Sequence, residues 1–212
     1  LVDLPVTNDG ITQAAMHIMG ILFSPVIQGM PGLLPLLSSK MVSISLQSGN
    51  TVSSTIGYAL HGLVMSAFLA DPATGYAFGK VALNLLEKFN TPEIKPIVMF
   101  LFGNFIQPHK EPLKNSIQTL KTAFDAGIDT GDFMHAGFSL ATHSNSRFFS
   151  GGELSGFVKD MANYSVALAQ MKQYSAQAYI NLGKQTAENF IEIVSQPHCL
   201  TGNSYNEKVM LP

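Results

Sequence analysis

The stretch Gly75-Tyr76-Ala77-Phe78-Gly79-Lys80-Val81-Ala82-Leu83-Asn84-Leu85-Leu86-Glu87-Lys88-Phe89-Asn90-Thr91-Pro92-Glu93 decides the fold class. Gly75, Phe78, Ala82, Leu85, Leu86 and Phe89 recur at steps of three and four, which places them on one face of a helix. Asn90 tolerates the left-handed backbone that ends a helix. Thr91 carries a side-chain oxygen for the unpaired N–H groups of the next helix. Pro92 and Glu93 suit its first turn, because proline lacks an N–H that would go unpaired and glutamate favours the positive end of the dipole. One helix therefore ends and another begins within four residues.

The same junction chemistry recurs on both sides. Ser48-Gly49-Asn50-Thr51 precedes it and Gly127-Ile128-Asp129-Thr130 follows it, a spacing of roughly 40 residues that belongs to helical-hairpin repeats. Second helices read from Leu113, Ile117, Leu120 and Phe124, and from Leu154, Phe157, Val158, Met161, Leu168 and Met171. First helices over 53–70, 92–107 and 132–149 are apolar on most faces, as helices buried between neighbours are. Small residues such as Gly57, Gly62, Gly103, Gly137 and Ala141 allow close helix approach.

The expectation is an all-α fold of stacked antiparallel hairpins, a tetratricopeptide-like α-solenoid. A lead-in over 1–9 precedes one helical-repeat domain over 10–195, with hairpins at about 10–50, 51–90, 91–129 and 130–172 and a final helix at 175–195. After Gln196-Pro197 the pattern loses its period, so 196–212 reads as an irregular tail. No segment has strand period with hairpin turn chemistry.

Composition narrows the function classes. Hydrophobic residues make up 46% and charged ones 12%, which opposes disorder. A net charge of −2 leaves no basic footprint for nucleic acid. The single cysteine, Cys199, excludes an intrachain disulfide and fits a reducing, cytoplasmic setting. Leu1 in place of a methionine, with no leader pattern, reads as a piece cut from a longer polypeptide.

Between Asp9 and Lys40 no residue is charged, and 11–37 is strongly apolar. Ser24-Pro25, Gln28-Gly29, Pro31-Gly32 and Pro35 interrupt that run, and no basic cluster flanks it. A buried pair of helices, about 11–23 and 33–46, is favoured over a membrane span.

Catalytic and metal patterns do not assemble. His17, His61, His109, His135, His143 and His198 lack metal-ligand spacing, and His135 and His143 have no intervening zinc-protease glutamate. Ser150-Gly151-Gly152-Glu153 lacks the Lys-Ser/Thr ending of a phosphate loop, and no Gly-x-Ser-x-Gly elbow occurs. Asp71, Glu93, Glu111, Asp132 and Glu153 fall at helix starts, where capping and dipole roles account for them. No catalytic residue, metal site or cofactor is expected. Asn104, His143 and Asn145 are the candidate partner-binding residues, being polar groups on the otherwise apolar first helices.

Several phrases carry a resemblance: Leu36-Leu37-Ser38-Ser39-Lys40-Met41-Val42, Ser45-Leu46-Gln47-Ser48-Gly49-Asn50-Thr51, the Gly75–Asn90 stretch quoted above, Lys110-Glu111-Pro112-Leu113 and Gly127-Ile128-Asp129-Thr130-Gly131-Asp132. In this order, over roughly 10–195, they resemble the helical-repeat region of very large multi-sensor signalling serine/threonine and histidine kinases, best known from cyanobacteria and other bacteria. In that family a kinase-like domain and an AAA-type ATPase module precede this region, and sensor and histidine-kinase domains follow it. The family's usual Trp before the Lys-Glu pair is replaced here by Pro108-His109, and the aromatic-rich helix after the Gly-Asp junction is thinned to Phe133, Phe138 and His143. The resemblance carries over no catalytic residue. It implies a cytoplasmic, non-catalytic regulatory scaffold that links ATPase and kinase modules and binds a protein or an intramolecular domain. Two alternatives stand beside it: an α-helical domain with a small-molecule or enzymatic pocket between hairpins, and a fragment of a membrane protein.

Overall fold

The structure, a computed structural model, describes residues 1–192 and 196–210. The end of the expected final helix, 193–195, and the last two tail residues lie outside the described residues. The described residues are helical with no strand, as the junctions imply, and divide into two compact units, Leu1–Pro112 and Leu113–Pro212. That division falls within the stretch 91–129 assigned above to a single hairpin.

The first unit holds α1 (Gly10–Ile21), α2 (Phe23–Gly29), α3 (Leu34–Ser48), α4 (Val52–Leu63), α5 (Pro72–Phe89) and α6 (Lys95–Leu101). Asp9 begins α1 by accepting the N–H groups of Ile11 and Thr12. The chain stays helical past Ser24-Pro25 to Gly29, six residues beyond the expected stop. Pro25 sits in the first turn of α2, where a missing N–H costs nothing. The reversal comes instead at Met30-Pro31-Gly32, a short 3-10 turn leading into α3.

At the α3–α4 junction Thr51 and Ser54 form a reciprocal capping box, each side chain accepting the other's backbone N–H. The lead-in is tied to the same junction. Asn50 donates its backbone N–H to the Pro5 carbonyl at 2.7 Å and its side-chain amide to Leu1 at 2.9 Å. Gly49 has φ 95°, and a Cβ there would lie 2.5 Å from the Pro5 carbonyl oxygen. The Tyr58 hydroxyl donates to Asn50 Oδ1, and the ring is wholly buried in a core with Met16, Met41, Leu60, Leu63, Leu85 and Leu101.

α5 folds back on α4 at backbone contact. A Cβ on Gly62 would lie 2.8 Å from the Gly75 carbonyl oxygen and 2.8 Å from Ile106 Cδ1. Both first helices of this unit finish in a wider π turn, Val64–Phe68 after α4 and Phe102–Ile106 after α6, and both turns face α5. Ser66 Oγ of the first turn meets Gly75, and Phe102 of the second meets Gly79.

The second unit holds α7 (Leu113–Thr130), α8 (Phe133–Phe149), α9 (Leu154–Gln170), α10 (Tyr174–Ile191) and the short α11 (Glu207–Met210). Its core gathers Leu140, Phe157, Met161, Leu168, Ala176, Ile180 and Ala187. The tail from 196 is largely non-helical but is hydrogen-bonded to α10, as Ser204 N–H to Gln185 Oε1 shows.

Two of the three expected threonine caps differ. Thr91 donates its hydroxyl to the Phe89 carbonyl and caps nothing. Thr130 remains inside α7, donating to the Ala126 carbonyl at 2.8 Å. Gly131, with φ 78°, then closes that helix, and Asp132 caps α8 through the His135 N–H. Asn90 does adopt the left-handed conformation expected of it, with φ 49°.

Replacing Thr51 with alanine removes one half of the capping box and should lower the unfolding free energy by about 0.5–2 kcal/mol in urea titrations. Thr91→Ala, which loses no cap, should change it by no more than about 0.5 kcal/mol. Gly62→Ala must push α4 off α5 and should cost about 1–3 kcal/mol in the same measurement.

Candidate interaction site

The three candidate residues are not brought into one groove. Asn104 lies half-buried in the π turn after α6, in the first unit. His143 and Asn145 belong to α8 in the second unit. Two residues apart on a helix, they point about 200° away from one another. His143 is therefore buried while Asn145 is exposed.

His143 is satisfied within its own unit. Its Nδ1 lies 3.0 Å from the Ile117 carbonyl, an acceptor only, so Nδ1 carries the proton and donates. The ring meets Tyr164 edge-on at 6.2 Å. Burial pushes the His143 pKa below its usual 6.5; the Ile117 carbonyl opposes this, while the positive charges of Arg147 and Lys121 add to it. His143 is thus a neutral histidine of the helix packing.

One turn further on, Arg147 pairs with Asp160 at 2.9 Å and lies over the Phe157 ring at 5.9 Å. Arg147, Phe148, Leu154 and Phe157 line a cleft of about 240 Å³ beside the Gly151-Gly152 turn. That is smaller than the ~300–1,000 Å³ of most small-molecule sites. Phe148 continues the aromatic wall toward Phe149 and Phe190, with ring centroids 5.4 and 6.3 Å away, and both of these rings are exposed.

The acidic residues are engaged at helix starts. Asp71 accepts from Thr74 N–H, Asp132 from His135 N–H, and Glu153 from Ser155 and Gly156 N–H. Glu111 is different, accepting from the Tyr76 hydroxyl and from the Gln107 amide. Among the described residues, no three His, Cys, Asp or Glu side chains gather where they could hold a metal ion.

Two polar arrangements were not anticipated from the sequence. Ser38 Oγ lies 3.3 Å from His61 Nδ1, but Ser38 is wholly buried and already donates to the Pro35 carbonyl, so it presents no nucleophile to a substrate. Gln185 and Asn189 on α10 are both buried, at 5% and 7% exposure, and bonded to each other. Their i, i+4 spacing was visible, but on sequence alone such a pair reads as a solvated face.

No family model matches the chain, and no solved structure matches it. The chain is similar to hybrid signal transduction histidine kinase G of Dictyostelium discoideum, at 30% identity over 138 residues. The match covers 63% of this chain and only 4% of that much longer protein. The similarity thus ties the chain to a region of a signalling kinase, and it does so outside the bacteria in which the resembling phrases are best known.

The buried neutral state of His143 gives a signed pH dependence. An unfolded chain regains the ordinary value near 6.5 and binds more protons than the folded one as the pH falls below it. Stability present above that pH is lost as the pH descends toward the depressed folded value. Denaturant titrations between about pH 7.5 and 5 should show a steeper loss for the native chain than for His143→Gln. Equal slopes would remove His143 as a contributor.

Proposed function

We propose that this chain is a non-catalytic regulatory segment of a larger, cytoplasmic signalling kinase, where tetratricopeptide-like hairpins position an ATPase module relative to sensor and kinase modules. The observation that carries this reading is the partial likeness to a hybrid histidine kinase, aligned over most of this chain but over a small fraction of the relative. The ordered phrases from Leu36 to Asp132 support it independently, because they resemble the helical region of multi-sensor kinases. The engagement of Asp71, Asp132 and Glu153 in caps supports a scaffold role, since these carboxylates serve the helices. In this reading the segment works by recognising a protein or intramolecular domain and by transmitting orientation, with no bond made or broken on its own residues and no cofactor of its own.

The exposed Phe149 and Phe190 beside the Arg147 cleft supply the surface such a role needs. Aromatic and arginine side chains around a pocket are the composition of interface hot spots.

In-frame removal of 10–195 from the encoding kinase tests the proposal. Autophosphorylation by the kinase core should persist, while its rate or its response to signal changes by about five-fold or more, the scale of a coupling free energy between sites. A kinase whose output is unchanged would overturn the scaffold role. Phosphate transfer by the purified 212-residue chain alone, incubated with magnesium and ATP, would overturn its non-catalytic character.

A further inference from the structure

α10 has two buried faces of different origin. Ala176, Ile180 and Ala187 fall within about 40° of one another around the helix and enter the core. Gln185 and Asn189 lie on the opposite side, about 180–220° away, where a helix on the outside of a bundle meets water. They are nevertheless buried, because residues 197–205 cross them.

The contacts are almost all to main chain. Gln185 Oε1 accepts the N–H groups of Ser204 at 3.1 Å and Tyr205 at 3.3 Å. Asn189 Nδ2 donates to the carbonyls of Pro197 at 3.2 Å and Cys199 at 2.9 Å. The two amides are locked to each other by Gln185 Nε2 donating to Asn189 Oδ1 at 2.9 Å. Glu188, on the same turn, accepts the Ser204 hydroxyl at 2.8 Å.

We propose that Gln185 and Asn189 form a main-chain clamp for a peptide that folds into a Gly-x-x-aromatic turn, as Gly202–Tyr205 do with the Gly202 N–H donating to the Tyr205 carbonyl at 2.9 Å, and that the chain's own residues 197–205 are its resident, displaceable occupant. The pattern follows from two positions. A Cβ on Gly202 would lie 2.4 Å from the Gln185 amide, so a side chain there must push that amide off its bonds to Ser204, Tyr205 and Asn189, which favours glycine. Tyr205, three residues on, is the tail's buried large side chain, at 6% exposure. Elsewhere the clamp reads peptide groups, which every sequence offers. Its two amides would otherwise be hydrated, so release of the tail requires no buried polar group to go unpaired.

The inference deepens the interaction role proposed above by naming a site and a ligand class for it. A tethered occupant has an effective concentration in the millimolar range and masks the site from weak competitors. Gly202→Val should expel the tail. Fluorescence anisotropy with a labelled synthetic peptide of residues 196–210 should then show binding to the Gly202→Val chain about ten-fold or more tighter than to the native chain. The same peptide carrying Gly202→Val should not bind. The proposal falls if the variant chain, still helical by circular dichroism, fails to bind the native peptide, or if both peptides bind alike. Should Gly202→Val prevent folding, hydrogen exchange on the native chain decides. Excess native peptide must then speed exchange at the Ser204 and Tyr205 amides, and unchanged rates overturn the clamp. Either failure leaves the kinase-coupling test unaffected, because that test does not depend on the tail.

Discussion

The tightest constraint in this protein is helix approach at backbone distance, set by glycines that leave no room for a side chain. Gly62 faces the Gly75 carbonyl across α4 and α5, and Gly127 faces Ala136 across α7 and α8, where an added Cβ would come within 2.8 Å of its neighbour in each case. With so little charge in the sequence, most helical faces are apolar and gain from being covered by another helix, although Ile11, Ile18 and Ile21 of α1 stay exposed. Close approach makes that coverage dense, because dispersion contacts accumulate only where atoms meet. The wide π turns that end α4 and α6 belong to the same arrangement, since both lie against the glycines of α5.

Where helices pack this closely, polar chemistry moves to their ends. Asp9, Thr51, Asp71, Asp132 and Glu153 each satisfy N–H groups of a helix start. Asp9, Asp71 and Glu153 are shifted toward lower pKa, first by the side chains of Thr12, Thr74 and Ser155 and then by the helix-start N–H groups. Of the polar groups left inside, His143 and the Gln185–Asn189 pair bond chiefly to main chain, while the hydroxyls of Thr55, Ser66, Ser116 and Ser139 have no hydrogen-bond partner among the described residues. In the regulatory role proposed above, recognition would fall to the exposed Phe149 and Phe190 and to main-chain contacts.

The sequence was informative where the deciding interaction is local. The capping box at Thr51, the left-handed Asn90 and the acidic helix starts involve residues within four positions of one another, so spacing alone reveals them. Thr91 and Thr130 share the same local signature as Thr51, yet neither caps a helix. At Thr130 a neighbour, Asp132, caps the next helix through the His135 N–H, and at Thr91 the hydroxyl turns back to the Phe89 carbonyl. The site was less legible. His143 and Asn145 look alike as polar residues of an apolar helix, and only the 3.0 Å contact to Ile117, 26 residues away in sequence, separates a buried histidine from an exposed asparagine.

The sequence by itself determined that the chain is helical and where most of its helices begin and end, because helix period and capping chemistry act over a few residues. It also placed Gly62 on a packing helix, whereas Gly127, read as part of a helix-ending junction, lies inside α7 against Ala136. Only the tertiary structure decided which faces those helices cover, that Pro25 continues a helix instead of ending it, and that the division between compact units falls at Pro112. It alone turned Gln185 and Asn189 from a polar outer face into buried groups. The reason is physical: burial depends on what a distant segment does, and the contact between α10 and the tail has no trace in the period of either one.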